Sequence, residues 1–124
     1  MAALPPILAI GLIGHGGMTL AQLTEATGKM AAVCKENAIY FDAYFIPAEP
    51  AAEDWRDLHQ RLESKAWRVV SIGSGLRITD QHTALLEGVV NAVLSTVHPT
   101  PKLAFPTLPE EMIPTFKRLL ESDK

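Results

Sequence analysis

Apolar positions along this chain fall into two patterns that alternate. Short, nearly continuous apolar runs are each followed by a longer stretch in which apolar residues recur every three or four positions, and this grammar is repeated four times. The first run, from Ile7 to Ile13, lies between Pro5-Pro6 and Gly14 and reads as a strand. Thr19 then reads as a helix N-cap with Gln22 at capping-box spacing, and Leu20, Leu23, Met30, Val33 and Cys34 follow at helical intervals, with Gly28 weakening the middle. The aromatic and β-branched run from Ile39 to Ile46 is a second strand, stopped by Pro47, and Trp55, Leu58 and Leu62 mark the inner face of a helix over residues 51–64. A third strand, from Trp67 to Ile72, ends in the turn Gly73-Ser74-Gly75. The helix after it, capped by Thr79 or Asp80, carries a wide apolar side: Leu85, Leu86, Val89, Val90, Val93, Leu94 and Val97. The fourth unit is a short strand from Lys102 and a helix from Pro109, a residue suited to a first helical turn, with Met112, Phe116, Leu119 and Leu120 inward. Pro114 lies further in, as a kink or as the mark of a later start.

Strands alternating with helices of this length imply βαβ units, right-handed crossovers and a parallel sheet. The first and third strands are almost wholly apolar, as strands covered on both faces are, whereas the second mixes Tyr40, Asp42 and Tyr44 with apolar residues and the fourth is short. The expected fold is therefore an α/β, flavodoxin- or Rossmann-like domain spanning residues 1–124. Its four-stranded parallel sheet has the order 2-1-3-4, with the first and fourth helices on one face and the second and third on the other. In that order the first and third strands are neighbours whose connections leave in opposite directions. Such a switch point is where open α/β sheets bind ligands, outside the carboxyl ends of the strands.

Composition narrows the function classes. The chain is 48% apolar and 20% charged, too apolar for a disordered segment, and its net charge of −3 without a basic cluster argues against nucleic acid. The single cysteine, Cys34, excludes an internal disulfide. The apolar opening has no cation before Lys29 and is too short to span a bilayer, so neither a signal sequence nor a membrane anchor is expected and the location expected is cytoplasmic. The edge strand and the apolar third helix offer more hydrophobic surface than a small sheet covers, which points to a homodimer.

Two glycine turns carry the candidate chemistry. The turn after the first strand holds Gly14, His15, Gly16 and Gly17, and the turn after the third holds Gly73, Ser74, Gly75 and Arg77. If the two strands are neighbours, both turns open onto one crevice. Glycine lets a ligand approach bare backbone N–H groups, the helix starts near Thr19 and Thr79 favour an anion, and the Arg77 fork suits a carboxylate or phosphate. His15 supplies an acid–base group near neutral pH. Asp42 on the edge strand, His82 in the third helix and Thr107 after the fourth strand complete the candidate set, with His15, Arg77, Asp42 and His82 in catalytic roles and the glycines, Ser74 and Thr107 binding ligand. No histidine pair stands at metal-ligand spacing, and neither turn fits a dinucleotide fingerprint, so no metal and no cofactor is expected. The resulting expectation is a cofactor-independent enzyme of isomerase, lyase or hydrolase type. It would hold a small anionic or enolate-forming substrate through Arg77 and the loop amides and move protons through His15. The alternative is a ligand-binding or histidine phosphocarrier domain without turnover.

Two resemblances bear on this. The segment "SIGSGLRITDQHTALLEGVVNAVLSTVHPTPKLAFPTLPEE", about a third of the chain, resembles a family of small α/β proteins of unknown function with a G-x-G-x-R turn and a "LLE..VN.V" helix. That likeness implies the fold, and it links Gly73, Gly75 and Arg77 as a unit. The stretch "IGHGG" resembles the mannose-class phosphotransferase IIA domains, in which a histidine in a glycine turn after the first strand carries a phosphoryl group. It covers about a dozen residues and implies a phosphocarrier role for His15. The family's aspartate at the end of the third strand is absent, because that strand ends Ile72-Gly73-Ser74.

Overall fold

Four parallel strands, β1 (Pro6–Leu12), β2 (Tyr40–Ile46), β3 (Val69–Ile72) and β4 (Lys102–Ala104), form one sheet in the order β2-β1-β3-β4. The computed structural model describes residues 3–122; the first two residues of the apolar opening and the last two of the expected 1–124 domain lie outside it. The register pairs Ile7 with Phe41 and Val69, and Ile10 with Tyr44 and Ile72. The helices are α1 (Leu20–Glu36), α2 (Ala52–Glu63), the single turn α3 (Ser74–Arg77), α4 (Thr83–Thr96) and α5 (Met112–Glu121).

Alternation along the strands sorts the core into two layers. Leu8, Ile10, Leu12, Ile46, Val70 and Ile72 point to one face and pack with Leu58 and Leu62 of α2, Leu76 of α3, and Leu85, Val89 and Val93 of α4. Ile7, Phe41, Val69 and Ala104 point to the other and pack with Cys34 of α1 and Phe116 of α5. The helices therefore divide between the faces as right-handed crossovers require.

Helix α1 starts where its capping signal lies. The Thr19 hydroxyl accepts from the Gln22 N–H at 3.1 Å, and the Gln22 side chain accepts from the Thr19 N–H at 2.8 Å. The third unit departs from expectation. The residues after β3 form the helical turn α3 instead of an open glycine loop, with Leu76 fully buried, and Thr79 is extended with no side-chain cap. A short 3-10 turn, Asp80–His82, intervenes before α4, so the α-helix begins at Thr83 and not directly after the cap expected at Thr79 or Asp80. The turn α3 sets Leu76 into the core, and the extended Thr79 separates it from the helical segment that follows. At the last helix, Pro109 opens a 3-10 turn, and Pro114 sits in the first turn of α5, where its missing N–H has no intrahelical partner to lose. Among the described residues no helix is long and apolar enough to cross a membrane.

Candidate functional site

A hollow opens where the sheet's small residues coincide. Towards the carboxyl ends of the strands, the positions facing α1 and α5 are Ala9 and Gly11 of β1, Ala43 and Phe45 of β2 and Ser71 of β3, all small except Phe45, whose ring lies against Gly11. Lower on the same face Ile7, Phe41, Val69 and Phe116 fill the layer. Above them the small side chains fall short of the helices, and a cavity of about 300 Å³ remains, with Phe45 in its lining. That is the small end of the roughly 300–1,000 Å³ range of small-molecule sites. Its wall on α1 is Leu23, Ala26, Thr27 and Met30; on the far side stand Pro106 to Pro109 and Met112. Met18, Met30 and Met112, all the methionines among the described residues, line it.

The rim carries the polar chemistry. Gly14, Gly16 and Gly17 have φ of 87°, 68° and 76°, left-handed values that side chains resist, and they turn the chain through a 3-10 turn that holds an exposed His15 over the cavity. From the neighbouring strand, the Gly73 N–H donates to the Ile10 carbonyl at 2.8 Å, which draws the start of α3 against the end of β1. His15 Nε2 then lies 3.4 Å from Ser74 Oγ. The ring rests on Gly75: a Cβ there would stand 2.7 Å from His15 Cγ and 2.9 Å from Nδ1. His15, Gly73, Ser74, Gly75 and Thr107 all line the one cavity, so the two turns share a crevice at the switch point.

The other sequence candidates are placed elsewhere. Asp42 alternates to the opposite face of the sheet, where its carboxylate pairs with Arg61 Nη1 of α2 at 2.8 Å. Arg77 does not line the cavity. Its Nε donates to the Ile72 carbonyl at 3.0 Å and its Nη2 to the Pro106 carbonyl at 2.9 Å, with the guanidinium 5.5 Å from the centre of the Phe105 ring. The arginine thus ties the end of β3 to the loop that walls the cavity. His82 ends the 3-10 turn before α4 and is not among the lining residues. The start of α4 at Thr83 likewise contributes no residue to the cavity, so of the two helix starts expected there only the region of α1 is present. Among the described residues no cluster of three or more His, Cys, Asp or Glu side chains could hold a metal ion.

The apolar lining, from Leu23 and Met30 through Phe41, Phe45 and Met112, was not legible from motifs. Its signal is the run of small residues at alternate strand positions (9, 11, 43 and 71), which becomes visible once strand order and phase are fixed. Cys34, on the same face but fully buried, has its thiol pushed up to about 11 by burial, which keeps it neutral and unreactive at ordinary pH. Comparison with protein-family models, with curated proteins and with solved structures finds no match.

Proposed function

We propose that this chain binds a small molecule with an apolar body and one polar end at the β1–β3 switch point, and that His15 serves as the acid–base group acting on that polar end. The observation that carries the reading is the coincidence of an apolar cavity of about 300 Å³ with a histidine held at its rim. A cavity lined by methionine, leucine and phenylalanine rewards burial of hydrocarbon and adapts to its shape, while His15 and Ser74 fix one end by hydrogen bonding. The anionic end suggested by the sequence would meet His15 and Ser74, since two Arg77 donors are engaged by Ile72 and Pro106.

A phosphocarrier role draws support from the exposed His15 imidazole. It leaves the apolar cavity beneath the ring without a purpose, which is why ligand chemistry is the preferred reading. The single cysteine supports a cytoplasmic setting, and the unshared edge of β2 supports a homodimer.

Calorimetric titration with octanoate and with octanol tests the binding. Saturable binding of either is expected, and Ala43→Leu, which projects into the hollow from the sheet, should weaken it at least tenfold without unfolding the protein. Binding unchanged in the filled variant would place the ligand elsewhere and refute the proposal.

A further inference from the structure

We infer that Ser74 is a nucleophile activated by His15, and that the site cleaves esters whose acyl chain fills the cavity. This rests on the ligand-binding reading above and extends it to a reaction. Ser74 stands at the strand-to-helix junction after β3 and lines the cavity, with its Oγ 3.4 Å from His15 Nε2. That separation is at the long end for a nucleophile and its base, as is common before a substrate draws them together. Gly75 makes the pairing sterically feasible: any side chain at that position would displace the imidazole from beside Ser74. Among the described residues no carboxylate pairs with the His15 ring, so the two form a dyad.

The chemistry balances with water as the only co-reactant. Ser74 Oγ bonds to the ester carbonyl carbon as its proton passes to His15 Nε2. The carbon–oxygen bond to the alcohol then breaks, and the leaving alkoxide takes that proton. Water attacks the acyl-serine, gives a proton to His15, and the Ser74 oxygen leaves as it recovers the proton. The products are a carboxylic acid and an alcohol, and the enzyme returns unchanged. The acyl chain is the part that fits the cavity, because the hollow lies beneath Ser74 and is lined by Leu23, Met30, Phe41 and Met112. The alcohol faces the open rim.

Incubation with p-nitrophenyl octanoate and with an alkyl fluorophosphonate tests this directly, with intact-mass detection of the adduct. One equivalent of label on Ser74 is expected, and octanoyl ester cleavage should exceed acetyl ester cleavage at least about tenfold because the longer chain is buried. His15→Asn should slow acylation about 100-fold or more. Ser74→Ala should abolish labelling and weaken octanoate binding only several-fold, since the apolar wall and His15 remain. Ser74→Cys provides a second readout: its alkylation by iodoacetamide should follow a pH profile that changes when His15→Asn is added. Absence of a Ser74 adduct, or labelling that survives Ser74→Ala, overturns the inference. If octanoate nevertheless binds, only the reaction has failed; if it does not, the binding proposal fails with it.

Discussion

A methyl group on Gly75 would lie 2.7 Å from His15 Cγ and 2.9 Å from its Cβ, closer than unbonded carbons approach. The backbone there is helical, so alanine suits the conformation and gains up to about 1 kcal/mol of helix propensity. The exposed His15 loop is free to yield. Gly75→Ala is therefore expected to shift the melting temperature by only a few degrees while moving the imidazole and lowering octanoate affinity several-fold. An unchanged His15 ring spectrum in that variant would contradict the geometry. Cys34 gives a second prediction. Burial raises its folded thiol to about 11 from 9.0, so the contribution it makes to stability is complete below pH 9 and is lost as pH rises through 11. The loss approaches roughly 2–3 kcal/mol. Tyr44, raised by burial and then by Asp54 and Asp57, adds a loss of the same sign at higher pH. Denaturant midpoints measured from pH 8 to 11 should fall, and the fall should be shallower in Cys34→Ala. At this scale the glycine-rich turns singled out His15 and Gly75 in the sequence. They did not disclose that Gly75 is a seat for the His15 ring, because that contact joins residues from separate strands.

Between elements, the decisive connection is the Arg77 tether. It holds the carbonyls of Ile72 and Pro106 together, and so fixes the 105–109 loop as the far wall of the cavity. Hydrogen bonds from a charged donor are worth roughly 1.5–3 kcal/mol each before relaxation. Arg77→Ala should cost about 2–3 kcal/mol in denaturant unfolding, and Arg77→Lys should recover little, since an ammonium does not reproduce the guanidinium fork. A change below about 0.5 kcal/mol in Arg77→Ala would show the tether to be idle. The strands, the α1 capping box and the order 2-1-3-4 were legible from local signals: apolar runs, Thr19 with Gln22, and the mixed polarity of β2. The start of the third long helix was not, because Thr79 and Asp80 look like caps, while the buried Leu76 draws a separate helical turn onto the core.

At the scale of the whole molecule, one layer of the fold is left incompletely filled. Ala9, Gly11, Ala43 and Ser71 belong to three strands that are far apart in sequence, and only the parallel register makes them a single shallow floor. The two glycine motifs lie at the rim of the cavity, and its interior carries no motif for that reason. Asp42 was misplaced for a related one: alternation sends its side chain to the face opposite Ala43, where Arg61 meets it. If the hollow beneath His15 receives a ligand, the methionines report on it. Met18, Met30 and Met112 come from the loop before α1, from α1 and from α5, yet all three line the cavity. The most direct measurement is a carbon-13 methyl spectrum of methionine-labelled protein during titration with octanoate. Concerted, saturating shifts of Met18, Met30 and Met112, together with the His15 ring protons, are predicted, and they should vanish in Ala43→Leu. Saturable binding that leaves these three methyl signals and the His15 ring unmoved would place the ligand outside the hollow and refute the proposed site.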